Sequence, residues 1–229
     1  MISVKEKIRR GRTGRSHRPV SIRRNVVNLS LPVLLSSLFQ RLVSIVDIFL
    51  VGGLGAAAIA ATGMGQLLIF VIMTVFWGLA TGTTVVIAHL WGAGHRQDAR
   101  RAGFAALVAC MAMAVAASFL GWFYGPELAR FLGARGEVFR FADGYIRLVF
   151  LWFIFTAGLN ILSAIMHGRG DTRTPMVAIL MVNILHVVLA WPLIYGNLGL
   201  PRMEVIGAAY AINISEFCGF AYLMYMAFR

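Results

Sequence analysis

Ionisable residues are scarce in this chain. Only 13% of its 229 residues are Asp, Glu, Lys or Arg, and a soluble domain of this size carries roughly twice that share. Acids are scarcer still, with 9 Asp and Glu against 21 Lys and Arg. There are two cysteines, Cys110 and Cys218, each inside an apolar run, so no disulfide framework is expected and both read as small core hydrophobes. Enzyme signatures are missing: there is no HExxH, no paired CxxC, no GxSxG and no GxxxxGK[ST] loop. The expectation is a protein that is not an enzyme and holds no metal or cofactor. Without a phosphate-binding loop, any work done by this chain draws on an ion gradient rather than on ATP. Beyond a basic N-terminal stretch there is no low-complexity block, and there is no short tandem repeat.

What the chain has in abundance is apolar sequence: 59% of its residues, with a mean hydropathy of +0.79. The charges sit in short islands between apolar runs of about 20 residues, the length that crosses a bilayer as an α-helix. Six such helices are predicted, over about Leu29–Val51, Ala61–Leu90, Gly103–Tyr124, Gly144–His167, Pro175–Tyr195 and Ala208–Phe228. The fold class is therefore an all-α membrane protein with a basic tail over residues 1–25 and a transmembrane unit over 26–229. The segment Gly125–Asp143, which balances three arginines against three acids, reads as a short amphipathic helix lying on the membrane surface.

A net charge of +12 invites a nucleic-acid partner, but its placement argues against one. Nine of the 21 Lys and Arg lie in residues 1–24 and six more (Arg96, Arg100, Arg101, Arg169, Arg173 and Arg229) fall on the same side, against four in the opposite loops. This is the positive-inside pattern. It places both termini in the cytoplasm of a multi-pass protein of the plasma (inner) membrane. The tail then serves as a cytoplasmic anchor that touches anionic lipid headgroups. Arg147, near the outer end of the fourth helix, is expected to snorkel.

Within the apolar runs a few polar residues stand out. Asp47 lies deep in the first helix, where a carboxylate costs several kcal/mol unless it faces protein or water. At 100° per residue, Ser36, Gln40 and Ser44 fall within about 60° of it, a polar stripe that predicts a cavity-lining helix. Asn183 and His186, three residues apart in the fifth helix, share a face, and Glu216 falls near the middle of the sixth. Gly78 and Gly82, four apart in the second helix, predict a close helix contact. The aromatic residues Phe70, Phe76, Trp77, Trp152 and Phe153 read as lipid-facing or core, or as a surface on which a flat cation could stack.

Four stretches in order resemble the multidrug and toxic compound extrusion (MATE) family: VDIFLVGGLGAAAIAATGMG (Val46–Gly65), GLATGTTVVIAHLWGAG (Gly78–Gly94), HGRGDTRTPM (His167–Met176) and IGAAYAINISE (Ile206–Glu216). Members of that family have twelve helices in two six-helix lobes around a central cavity, and this chain is similar to the N-terminal lobe alone. The resemblance implies a secondary antiporter that exports cationic or amphipathic organic small molecules in exchange for H⁺ or Na⁺. It implies a second six-helix lobe, or another copy of this one, as partner, with membrane lipid around both. Two other readings stay open: a lipid-linked or metabolite exporter of the same superfamily, and a half-length membrane interaction subunit that does not transport.

By the same resemblance Asp47 matches the family's acid on the first helix, implicated in proton or sodium coupling, and Gln40 matches a polar position two turns before it. Glu216 falls where some branches of the family have an acid. The fifth helix departs from the pattern. Where the family commonly has Asn and Asp, this chain has His186 and Ala190, so an Asp–Asp relay is not available there. His186 is expected either to substitute as a titrating group or to sit as a neutral core histidine. Asp47, Glu216 and His186 are thus the candidate ion-coupling residues, and Gln40, Ser44 and Asn183 the candidate polar residues of the substrate cavity.

Overall fold

The computed structural model describes residues 22–197, 199 and 201–229, so the basic tail up to residue 21 lies outside the described residues. Six helices follow one another: α1 (Ile22–Gly52), α2 (Ala56–Gly92), α3 (Arg96–Phe131), α4 (Gly136–Gly168), α5 (Arg173–Tyr195) and α6 (Glu204–Phe228). Each contains a stretch long and apolar enough to cross a membrane, and no strand occurs among the described residues. The chain is a multi-pass membrane protein.

The helices run further than the apolar runs that announced them. The predicted loops at 52–60 and 91–102 shrink to three residues each, because their alanines, with Arg96, Gln97 and Arg100, are good helix formers. The predicted surface helix at Gly125–Asp143 does not exist as a separate element. Its first half continues α3 and its second half begins α4. Three of the turns share one geometry, in which a glycine at positive φ (Gly94, Gly133 or Gly170) follows the helix. The next N–H then bonds a carbonyl five residues back, as in His95→Leu90 at 2.9 Å, Ala134→Ala129 at 2.9 Å and Asp171→Met166 at 3.0 Å. That pattern caps a helix C-terminus and reverses the chain at once.

α4 is the hub, packed against α2, α3 and α6. Half of its most apolar window is buried, against 6% for α1, which leans mainly on α5. The core aromatics stack at this hub: Phe153 meets Phe76 edge-on at 5.2 Å and Phe150 at 5.8 Å. Phe70 and Trp77 are instead exposed, Trp77 on the wall of a hollow that also holds Gln40. Two polar links reinforce the hub, from Thr84 Oγ1 to the Ala164 carbonyl at 3.0 Å and from Asn213 Nδ2 to the Leu148 carbonyl at 3.1 Å. Cys110 is buried beside the Ala157 carbonyl, while Cys218 is half-buried.

One expectation about packing needs correction. At Gly78 and Gly82 a methyl group would meet nothing within 4 Å, so this pair faces out of the bundle. The close approach falls to Gly121 and Gly125 of α3, where a Cβ would lie 2.1 Å from the Phe150 ring and 2.5 Å from Ile146 of α4. Arg147, half-exposed, takes up defined partners in the half of α4 nearer the α3–α4 turn. Pro126, inside α3, has no N–H for the carbonyl of Trp122 four residues earlier. Arg147 Nη1 donates to that carbonyl at 3.3 Å, its Nε donates to Asp143 at 2.9 Å, and its guanidinium lies 5.6 Å from the Trp122 ring. A long cation thus supplies the donor that a proline removed.

Candidate functional site

The six-helix bundle encloses a cavity of about 430 Å³ walled by α1, α2, α4, α5 and α6. Asp47 enters from α1 and His186 from α5. His186 Nε2 and Asp47 Oδ1 are 2.7 Å apart, with the imidazole 4% exposed and the carboxylate 29%. His186 Nδ1 is buried and has no partner among the described residues. The arrangement that leaves no donor unsatisfied puts the ring proton on Nε2, from which it donates to an ionised Asp47.

Glu216 reaches the same cavity from α6, where Thr156 of α4 donates its hydroxyl to Glu216 Oε2. Glu216 and Thr156 also line a second cavity, of about 490 Å³, together with Gln40, Thr81, Thr84, Asn160 and His167. The two residues therefore stand where two hollows meet. The first hollow lies toward the end of the bundle that carries the α1–α2 turn. The second lies toward the end that carries the α4–α5 turn.

The structure thus brings Asp47, His186 and Glu216 to one cavity and places Gln40 on the other. Among the described residues no three His, Cys, Asp or Glu side chains converge as metal ligands. Ser44 and Asn183 line neither hollow. Ser44 is exposed and donates to the Gln40 carbonyl of its own helix at 3.0 Å, and Ser36 likewise bonds Val33 at 2.8 Å. Asn183 is buried, with Nδ2 unpartnered among the described residues. The polar stripe read along α1 is therefore split, with only Asp47 and Gln40 facing hollows.

Sequence reasoning missed Thr156, Gln66, Thr62 and Tyr145, all of which line the first cavity. Tyr145 fits against α2 only because position 65 is glycine, where a Cβ would fall 2.6 Å from its ring. Close by, Tyr195 donates its hydroxyl to the Leu50 carbonyl at 2.8 Å. The lightly packed α1 is thus pinned to α5 at two points about two and a half turns apart on α5, by His186 at Asp47 and by Tyr195 at Leu50.

Comparison with known proteins places this architecture. Among curated proteins, a probable multidrug resistance protein NorM of Thermotoga maritima is 28% identical over 208 residues, which is 91% of this chain and 45% of the relative. A probable NorM of Rhodopseudomonas palustris is 31% identical over 187 residues, 81% of this chain and 39% of the relative. The chain thus spans less than half the length of these relatives. Among solved structures, an outward-facing multidrug resistance MATE family transporter of the MOP superfamily superposes with a TM-score of 0.83 at 27% identity, over 89% of this chain and 44% of that one. An inward-facing form superposes with a TM-score of 0.76 at 26% identity, over 88% and 45%. The MatE family model matches residues 32–192, well over half of the sequence, and the chain belongs to that family.

Proposed function

We propose that this chain is one six-helix lobe, the N-terminal one, of a secondary antiporter that exports cationic or amphipathic organic solutes in exchange for H⁺ or Na⁺. The observation that carries the proposal is the hydrogen-bonded Asp47–His186 pair sharing an intramembrane cavity with Glu216. Ionisable groups are expensive at that depth and are kept for ion pathways and substrate sites. When ionised, Asp47 and Glu216 offer anionic sites to a cation, and a proton on either removes that charge. A proton on Asp47 also removes the ionised acceptor of the His186 bond and so weakens one of the two pins on α1. Alternating access by rocking of two lobes then couples ion entry to solute exit. The second lobe is the missing C-lobe or another copy of this one. The positive-inside bias supports an orientation with the arginine-rich end in the cytoplasm, and the reading puts the lobe in a plasma membrane. Glu216, at the junction of the two hollows, is suited to hold an ion while access changes side.

The test is gradient-driven uptake of a fluorescent cationic dye into inverted vesicles. The vesicles carry this chain, alone or with a family C-lobe supplied in trans, and ΔpH and a sodium gradient are imposed separately. Uptake should require a gradient and fall at least tenfold in Asp47→Asn and in Glu216→Gln. Undiminished coupled uptake in both variants would refute the site assignment. Absence of uptake from folded, inserted protein in both configurations would refute the transport reading.

A further inference from the structure

The arginine-rich end of the bundle holds a third hollow, of about 370 Å³, between α3, α4 and α6. Three of its lining residues are Arg100, Arg169 and Arg229, and none is acidic; its walls are otherwise apolar, including Phe104, Leu107, Leu162 and Met224. We propose that this hollow is a binding site for the phosphate of an anionic phospholipid, whose acyl chains run along the Phe104 and Leu107 face of α3.

Three observations converge on an anion. Arg169 Nε is shut off from water and has no acceptor among the described residues. Its guanidinium is held below the ordinary arginine range by burial and by the charge of Arg100, so two like charges face one hollow without compensation. The acids of this end, Asp98 and Asp171, do not line the hollow. Asp98 lies 4.0 Å from His95, and the Asp171 carboxylate accepts the Arg173 and Thr174 N–H groups at 3.1 and 3.0 Å, capping α5. A phosphate oxygen would supply the acceptor that Nε lacks and neutralise the repulsion, and arginine's fork suits it. Trp91 fixes the approach, with Arg96 at 5.4 Å and Arg169 at 5.8 Å from its ring.

A free phosphate would satisfy the charges but leave the apolar walls uncovered. Phe104, 67% exposed and one turn beyond Arg100, continues the hollow toward the bilayer, which commits the site to a lipid. Basic pockets between helices near one membrane face suit such headgroups. The inference does not rest on the transport reading.

The test counts lipids retained by the purified full chain in native mass spectrometry, after addition of phosphatidylglycerol or phosphatidylcholine at equal concentration. The wild type should prefer phosphatidylglycerol by about tenfold or more. Arg100→Gln and Arg169→Gln should each lower that preference about fivefold, the share expected of one arginine near a charged headgroup, and the double variant should abolish it. Arg173→Gln at the same end, exposed and outside the hollow, and Arg130→Gln at the other end should leave it unchanged, which separates a site from general surface charge. Lysine at both positions should retain most of the preference, and this variant decides the matter if the glutamine pair fails to fold. Equal retention of the two lipids by the wild type would overturn the proposal, as would equal losses in Arg173→Gln and Arg169→Gln. Displacement of the lipid by millimolar inorganic phosphate would overturn the commitment to a lipid.

Discussion

Replacing Arg147 by methionine tests whether a cation stands in for the N–H that Pro126 lacks. Methionine keeps most of the unbranched stem and removes the guanidinium. Three contacts go with it: the bond to the Trp122 carbonyl at 3.3 Å, the Asp143 pair at 2.9 Å and the stacking over Trp122. Hydrogen bonds from charged donors contribute about 1.5–3 kcal/mol, and the length of this one argues for the lower figure. The Asp143 pair, with both side chains more than a third exposed, adds about 0.5 kcal/mol after solvent screening. The expected loss is therefore about 2 kcal/mol. In a Pro126→Ala background the backbone N–H at position 126 can satisfy Trp122 itself, as in any uninterrupted helix. The same Arg147→Met change should then cost only about 0.5–1 kcal/mol. The coupling of about 1–1.5 kcal/mol is the quantity that isolates the pairing. It is read by titrating dodecyl-maltoside-solubilised protein with SDS and following the unfolding midpoint for the four members of the cycle. Equal costs in the two backgrounds would mean that Arg147 acts through Asp143 or the bilayer surface, and that the proline-freed carbonyl finds its partner elsewhere.

Three further outcomes follow from the geometry. Gly121→Ala should destabilise by about 2 kcal/mol in the same titration, since overpacking against the buried Phe150 ring exceeds the roughly 1 kcal/mol gained from replacing helical glycine; Gly78→Ala, with open space beside it, should not lower the midpoint at all. Tyr195→Phe removes the bond to Leu50 and should cost about 1 kcal/mol, visible as a broader spin-label distance distribution between α1 and α5 while distances between α4 and α6 stay unchanged. Thr156→Val, which deprives Glu216 of its hydroxyl donor, should slow gradient-driven dye uptake roughly tenfold or more and shift its pH profile, with Thr156→Ser restoring both; a rate equal to wild type would detach Thr156 from the coupling site.

Six helices were legible because membrane-spanning runs advertise themselves by length and by the charges between them. Their ends were not, because a helix continues past the hydrocarbon wherever its residues favour it, as Arg96–Ala102 and Glu127–Phe131 do. Facing was harder still. In water an apolar stripe marks the buried side of a helix, but in a bilayer both lipid and core accept Leu, Val and Phe, so that signal is lost. Gly78/Gly82 and Gly121/Gly125 have the same spacing, yet one pair faces outward and the other seats α3 on α4. The candidate site divides along the same line. Asp47, His186 and Glu216 could be found because an ionisable group inside an apolar run has few cheap explanations. Thr156 could not, because a threonine in such a run already has a cheap one, the carbonyl one turn back. Thr62, Thr81 and Thr83 all take it, and Thr84 divides its hydroxyl between its own helix and α4. Thr156 donates to a carboxylate on another helix instead, and only the packing of α6 against α4 decides that. The charge-bearing half of a buried polar pair is thus written in one dimension, while its neutral half is fixed by the fold.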